Sequence, residues 1–365
     1  MIRIENWPGE DAFAVYTENP DCHRQDNAIR LHYAENTRLD VMIKDKVFSF
    51  DTKGSWPGAS EGDIFFISGN GSVSCLYKVG QGEIDLFVTN KCNSNCRMCP
   101  LAENVRKRNN AGHYQWLRDY IEILPIGVPY INVTGGEPTL NPGDFLEIMR
   151  LLKVKFRNSE FQLLTNGRSL SDSVFLENIL ENGPGNMRFA IPLHSAEETV
   201  HDMITQSPGS FRQTDRGIKN LLQHGQKVEI RIVLSKLNID SVEKTVKYIA
   251  DNYSGVLVVN FVGMEMLGNA IRDRQQLWEE YFVLFGKIKR SILYLVSRGI
   301  DTQIYNFPLC AVDKGYWPLA VKSITKHKIR YKAECEECAA RSMCGGFFVS
   351  TLKVMDPKIK VIHDL

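Results

Sequence analysis

From Glu83 onward the sequence alternates apolar, strand-like runs with amphipathic stretches. The strand-like runs are Ile84–Thr89, Tyr130–Val133, Phe161–Leu164, Phe189–Leu193, Val228–Leu234 and Val256–Val262. Helical spacing falls between them. His113–Leu124 is one such helix, ended by Pro125, and another opens at Pro142, where a first-turn proline is tolerated, and runs to Val154. This order predicts an α/β fold, a parallel sheet with crossover helices. Six such units match a partial, open (β/α)6 barrel, and in barrels ligands sit at the carboxyl ends of the strands. The residues with chemistry to offer fall there: Cys92 after the first strand, Gly135 after the second, Asn166 after the third, His194-Ser195 after the fourth and Gly263-Met264-Glu265 after the sixth.

Residues 1–82 have a different texture and predict a small, mostly β domain. Strand-like pieces at Asp40–Ile43, Val47–Asp51, Asp63–Ser68 and Val73–Lys78 are parted by Gly54, Pro57-Gly58 and Gly69-Asn70-Gly71, the last reading as a hairpin turn. This domain is either a structural cap on the barrel or a docking platform for a peptide or partner. The barrel is assigned residues 83–300, closed by a long amphipathic helix over Gln276–Val296. Residues 301–365 form an extension that begins with a seventh strand, Thr302–Tyr305.

Composition narrows the function classes. A chain of 365 residues allows about two domains. Forty-four Lys and Arg against 43 Asp and Glu leave no basic excess, so no nucleic-acid partner is expected. The N-terminus is acidic and lacks the apolar core of a signal peptide. No run approaches the roughly 20 apolar residues of a membrane span. A cytoplasmic protein without a membrane partner is expected. The nine cysteines fit metal ligation in a reducing compartment better than disulfides. Cys22 and Cys75 stand alone and read as ordinary core thiols.

The other seven cysteines fall into two groups. Lys91–Pro100, KCNSNCRMCP, sets Cys92, Cys96 and Cys99 in C-x3-C-x2-C spacing. Thiolate is a soft ligand that iron–sulfur clusters and zinc both select. Structural zinc usually takes four ligands, and no fourth Cys or His lies in the loop, so the loop reads as a 4Fe-4S site with one iron open to a cofactor or substrate. The second group is Cys310 with Cys335, Cys338 and Cys344, the last three in C-x2-C-x5-C spacing, followed by Gly345-Gly346. It reads as a second metal site, iron–sulfur or zinc.

The three-cysteine loop, followed one βα unit later by Thr134-Gly135-Gly136-Glu137-Pro138-Thr139-Leu140, resembles the radical SAM superfamily. Met98 departs from the aromatic residue that often precedes the last cysteine of that motif. The resemblance implies that Cys92, Cys96 and Cys99 hold a 4Fe-4S cluster whose open iron binds S-adenosylmethionine (SAM). Reductive cleavage of SAM would then give a 5'-deoxyadenosyl radical that abstracts hydrogen from the substrate. It further implies cofactor contacts from Gly135 and Gly136, whose missing Cβ lets backbone approach the ligand, and from Glu137 to the SAM ammonium. Thr165 and Asn166, in a turn shared with the family, belong to the same set, as do Ser195, with His194 beside it, for the SAM ribose or carboxylate. Arg231 either pairs with the SAM carboxylate or faces outward from an alternating strand. Met264 either packs in the core or lends its backbone to adenine.

The C-terminal cysteines resemble the SPASM and twitch extensions of the same superfamily, which implies a second, auxiliary 4Fe-4S cluster. A full SPASM domain carries seven cysteines; here there are four. Leu193-His194-Ser195, His201-Asp202, Ile204 through Phe211, Tyr305-Asn306, Leu309-Cys310 and Cys335 through Phe348 resemble one subgroup, the His-Xaa-Ser system radical SAM maturases of the HxsC type. That subgroup implies a ribosomally made peptide substrate bearing His-Xaa-Ser repeats, to be crosslinked, epimerised or oxidised. It also implies a second radical SAM protein of the same system and an electron donor such as flavodoxin or ferredoxin. Two other readings stand beside it: a twitch-type enzyme acting on a small molecule or nucleotide, and a non-catalytic iron–sulfur scaffold for a partner enzyme.

Overall fold

In the computed structural model the chain parts into two compact units, residues 1–84 with 116–131 and residues 85–115 with 132–365. The structure describes residues 2–4, 7, 10–18, 29–33, 38–43, 46–51 and 58–364; Cys22 and the turn residues Gly54 and Pro57 lie outside the described residues.

The first unit is built on a seven-stranded sheet: β1 (Ile2–Arg3), β2 (Ala12–Tyr16), β3 (Ile29–Tyr33), β4 (Arg38–Ile43), β5 (Lys46–Asp51), β6 (Ile64–Ile67) and β7 (Ser72–Tyr77). Their order is β1-β7-β6-β2-β3-β4-β5. The β2–β3 pair is parallel and its flanking pairs are antiparallel. The four strands expected from alternation are β4 to β7; β2 and β3 were not expected. Leu31, Leu39, Val41, Phe65 and Ile67 alternate inward and form the core of this sheet. The expected hairpin is present. Gly71, at φ +82°, donates its N–H to the Ser68 carbonyl at 2.7 Å, a turn that L-residues rarely adopt. Phe13, Phe66, Trp116 and Tyr120 form an aromatic cluster in the same unit, with Trp116 edge-on to Phe66 at 5.5 Å.

The second unit carries the βα alternation. The elements of this alternation run β8 (Glu83–Phe87), α1 (Glu103–Arg106), α2 (His113–Ile123), most of which belongs to the first unit, β9 (Tyr130–Thr134), α3 (Pro142–Lys155), β10 (Glu160–Leu164), α4 (Ser173–Asn182), β11 (Met187–Pro192), α5 (Glu198–Thr205), α6 (Ser210–Gln223), β12 (Lys227–Val233), α7 (Val242–Asn252) and β13 (Val258–Val262). After two short helices, α8 (Asn269–Arg272) and α9 (Arg274–Leu277), come α10 (Tyr281–Ser297), β14 (Asp301–Tyr305) and β15 (Ala320–Val321). The sheet order is unbroken from β8 to β15, and the pairs from β10 onward are parallel. Helix ends are set locally: Asp172 accepts the N–H groups of Val174 and Phe175 to start α4.

Two boundaries differ from the sequence reading. The helix expected over Gln276–Val296 starts at Tyr281, because Trp278 turns extended after α9. Asp301–Tyr305 pairs in register with Val258–Val262, so the eight-stranded sheet continues past residue 300. Among the described residues no helix is long and apolar enough to cross a membrane.

Strand alternation gives this sheet two unlike faces. Phe161, Leu163, Phe189, Ile191, Val228, Ile230, Ile232, Val259, Phe261 and Ile304 are fully buried and form the apolar face. The opposite face of the same strands carries Gln162, Arg188, Glu229, Arg231, Asn260 and Gln303.

Candidate functional site

The three-cysteine loop leaves the carboxyl end of β8 and is held from several sides by main chain. Asn95 and Arg97 donate their N–H groups to the Thr205 and Ile204 carbonyls at 3.0 and 2.9 Å. These are last-turn carbonyls of α5, which lack partners within the helix. Gln206 turns the chain away at φ +52°, and its side chain accepts a hydrogen bond from Asn95 Nδ2.

On another side Asn269 donates its N–H to the Cys99 carbonyl at 2.9 Å and its Nδ2 to the Cys96 carbonyl at 3.0 Å. Gly268, at φ +61°, lets it come that close; a Cβ there would stand 2.3 Å from the Pro100 carbonyl oxygen. Arg168 reaches the Asn93 carbonyl at 2.5 Å and the Ser94 hydroxyl at 2.9 Å. Arg106, only 7% exposed, donates to the Ser94 carbonyl and to Asn95 Oδ1. Sequence reasoning missed Arg106, Arg168 and Asn269, because no motif marks a side chain that holds a loop through its carbonyls.

The Gly135-Gly136 pair stands against this loop, but what occupies its missing side chains is protein. A Cβ on Gly135 would lie 2.5 Å from the Thr89 oxygen, and one on Gly136 would lie 2.1 Å from the Lys91 oxygen. Gly136 and Glu137 donate N–H groups to the Thr89 and Lys91 carbonyls at 2.6 and 2.7 Å. The glycines were expected to open space for a ligand; on the β8 side they open it for the approach to the cysteine loop.

Glu137 is fully buried. Its Oε1 accepts from the Thr139 N–H, the Thr139 hydroxyl and the Thr165 hydroxyl, and its Oε2 from the Asn166 N–H at 2.7 Å. Burial raises its pKa against the pull of these bonds. In this structure the carboxylate ties the ends of β9 and β10 together and is shut away from solvent. Asn166 carries the tie onward, donating its Nδ2 to Asn93 Oδ1 at 2.7 Å.

Ser195 is also fully buried. Its hydroxyl bonds that of Ser241 at 3.0 Å and accepts the Glu197 N–H. His194 donates its backbone N–H to His201 Nδ1, and its own buried Nδ1 has no hydrogen-bond partner among the described residues. Burial pushes His194 down to about 3 and His201 to about 4, so both rings are neutral. The Met264 side chain is buried. Arg231 does not face outward; it lies on the polar face, 2.6 Å from the buried Glu229. Gln162 and Asn260 also donate to Glu229, at 3.0 and 2.8 Å. The polar residues thus form one network on the face opposite the apolar one.

The cysteine loop suits a cationic cluster. Burial pushes Cys96 up to about 12 and raises Cys92 and Cys99, so thiolates here need a positive partner, which metal supplies. Ser94 directs its N–H at the sulfur of Cys92.

The second cysteine group is brought together by tertiary structure. Cys310, Cys335, Cys338 and Cys344 line one small cavity of about 20 Å³ together with Ile359–Ile362. Leu309 and Gly346 both aim N–H groups at Cys344 Sγ, each at 3.4 Å. Burial pushes Cys310 up to about 11. Among the described residues no three His, Cys, Asp or Glu side chains converge tightly enough to grip one metal ion.

Comparison with known proteins matches residues 86–249 to the radical SAM superfamily. The sporulation killing factor maturation protein SkfB of Bacillus subtilis is 26% identical over 166 residues, covering 46% of this chain and 39% of that protein. The AdoMet-dependent heme synthase of Methanosarcina barkeri is 29% identical over 164 residues, covering 43% and 44%. The structure of Streptococcus suis SuiB bound to S-adenosylmethionine aligns with TM-score 0.49 at 14% identity, over 70% of this chain and 55% of that one. The matched segments span less than half the length of these two curated relatives. The similarity to the radical SAM superfamily spans residues 86–249, a little under half of the chain.

Proposed function

We propose that this chain is a radical SAM enzyme that modifies a ribosomally made peptide. The observation that carries the reading is the cysteine loop, fixed at the carboxyl end of β8 by Asn269, Arg168 and the end of α5, in a unit whose sheet has a polar face. Bound there, a 4Fe-4S cluster and SAM supply a carbon-centred radical able to take hydrogen from an unactivated carbon. Cys92, Cys96 and Cys99 are the ligands of that cluster, and the glycine pair and Glu137 hold the loop in shape. Gly135, Gly136, Thr165, Asn166, His194, Ser195, Arg231 and Met264 belong to the wall around the cofactor. Arg188, Glu229, Arg231 and Asn260 present charge and hydrogen bonds to a polar substrate.

Cys310, Cys335, Cys338 and Cys344 hold a second, auxiliary 4Fe-4S cluster in a twitch-like extension. With all four ligands from cysteine, its role is electron transfer. A maturation role is supported by SkfB, which is named as the sporulation killing factor maturation protein. The finer reading is a maturase of the HxsC type that acts on His-Xaa-Ser repeats with a second radical SAM protein and a flavodoxin or ferredoxin donor. The similarity to a heme synthase supports a second reading, a small-molecule substrate.

The test is anaerobic iron and sulfide analysis with EPR of the reduced protein, with and without SAM, on wild type and the Cys92/Cys96/Cys99→Ala variant. Two clusters require about eight irons in wild type and about four in the variant. Only wild type should give a SAM-dependent signal and release 5'-deoxyadenosine. Peptides bearing His-Xaa-Ser repeats, assayed beside porphyrin precursors, separate the two substrate readings. Little iron after reconstitution sinks the enzyme reading.

A further inference from the structure

The polar face of the sheet holds more charge than its own pairing uses. Arg231 and the buried Glu229 pair at 2.6 Å, and Gln162 and Asn260 complete the shell of that carboxylate. Arg188 stands outside this pairing. Its side chain is 36% exposed, Glu229 lies 3.6 Å away, and among the described residues its guanidinium donates no hydrogen bond. Asp301 opens β14 with its side chain exposed. Among the described residues neither its carboxylate nor the Gln303 amide is engaged by a hydrogen bond or an ion pair. Arg188, Asp301 and Gln303 line one cavity of about 590 Å³, and Val258, Ile300 and Leu319 give it an apolar wall. Arg188 is the second residue of β11, and Val258 and Asp301 are the first residues of β13 and β14, so the cavity lies at the amino ends of the strands. The cysteine loop lies at the other end, where Asn166, just beyond β10, bonds Asn93. At about 3.3 Å per residue, Arg188 stands about 13 Å from the carboxyl end of β11 at Pro192.

We propose that this cavity is a binding site for a free α-amino acid with an apolar side chain. The ligand's carboxylate takes the Arg188 guanidinium, whose fork of N–H donors matches a carboxylate. Its ammonium takes Asp301, and its side chain packs against Val258, Ile300 and Leu319. Charge favours a zwitterion over a simple anion or a simple amine. A phosphate would meet Asp301 as well as Arg188, and an amine would meet Arg188 as well as Asp301; like charges at close quarters repel. A zwitterion brings the opposite sign to each and leaves the cavity neutral. An apolar wall with a few placed polar groups is the usual make-up of a small-ligand site, and the volume falls within the usual range of about 300–1,000 Å³. The site takes Arg188 from the polar wall assigned above and needs no cluster, so its failure and that of the radical SAM reading are separate results.

The experiment is isothermal titration calorimetry on the full-length, anaerobically reconstituted protein with L-leucine, L-leucinamide and N-acetyl-L-leucine. Leucinamide lacks the carboxylate, and the acetylated form lacks the ammonium. Each should bind wild type at least about tenfold more weakly than leucine, since each forfeits a charge-assisted hydrogen bond. In Arg188→Gln the preference for leucine over leucinamide should vanish. In Asp301→Asn the preference for leucine over N-acetyl-leucine should vanish. Glu229 keeps Arg231, Gln162 and Asn260 in Arg188→Gln, so that variant should fold. If it does not, the exposed Asp301→Asn decides: a lost preference supports the site, and a retained one overturns it. No leucine binding up to about 10 mM overturns the proposal, as does equal binding of the three probes. If SAM displaces leucine while Arg188→Gln binds it as wild type does, the amino acid sits at the cysteine loop and the proposal fails. Full selectivity for leucine in protein without loop iron supports the site while removing the enzyme reading.

Discussion

A β-carbon on Gly136 would stand 2.1 Å from the carbonyl oxygen of Lys91, the residue before the first cysteine of the loop. The same carbonyl accepts the Glu137 N–H at 2.7 Å. Gly136 and Lys91 are therefore backbone neighbours at contact distance, and the path into the cysteine loop depends on a missing side chain 45 residues further along the chain.

Gly136→Ala should force β8 and β9 apart at their carboxyl ends. Overpacking of this kind costs about 1–3 kcal/mol. Iron analysis should show loss of loop iron, with the iron at Cys310, Cys335, Cys338 and Cys344 retained. An alanine variant with full iron at both sites and an unchanged Tm would contradict the role given to this contact.

Glu137→Ala should destabilise the protein by about 3 kcal/mol, because it strands the Thr139 and Thr165 hydroxyls and the Asn166 N–H in a buried site. Glu137→Gln keeps an acceptor for most of these donors and should cost about 1 kcal/mol. Urea unfolding with an unchanged m-value checks both. Equal, small losses would show that the tie between β9 and β10 is not needed for stability.

His194 and His201 should make the fold acid-sensitive. In the folded chain they are held neutral, at about 3 and about 4, whereas an unfolded histidine titrates near 6.5. Between these values the unfolded chain binds more protons, so stability falls as pH drops below about 6.5, by up to about 1.4 kcal/mol per pH unit for each ring. The fall levels off once the folded rings also protonate. Urea unfolding at pH 5, 6, 7 and 8 should give a flatter profile for the His194→Gln/His201→Gln double variant; the same slope in both proteins would refute the assignment.

The C-terminal tail should control access to the second cysteine site. Ala339 donates its N–H to the Ile362 carbonyl at 2.8 Å, and Lys332 binds Asp356 at 2.6 Å, so the tail lies across the cavity. Truncation after Asp356 removes the wall formed by Ile359–Ile362. A chelator should then strip iron from this site at least about tenfold faster, while the loop cluster keeps its SAM-responsive signal. Identical stripping rates would show that this wall does not shield the site.

Periodicity alone located most of the second unit. The strand-like runs near Tyr130, Phe161, Phe189, Val228 and Val256 all became strands, because alternating burial on a sheet writes a local pattern into the chain. The cysteine spacings were equally local. In the first unit β2 and β3 escaped notice. Arg231 could not be assigned a direction from sequence. Its orientation toward Glu229 depends on which face of the sheet the helices cover.

The sequence by itself determined the βα order, the two cysteine groups and the glycine pair, all of which are set by residue type and spacing along the chain. Only the tertiary structure decided that the glycines face the Thr89 and Lys91 main chain, that Glu137 and Ser195 turn inward, and that Cys310 joins Cys335, Cys338 and Cys344 around one cavity. It also decided that Arg106 lies buried against Ser94 and Asn95 of the cysteine loop. The reason is physical. A spacing fixes what neighbours along the chain can do, whereas hydrogen-bond satisfaction and close packing between distant segments depend on which backbones meet.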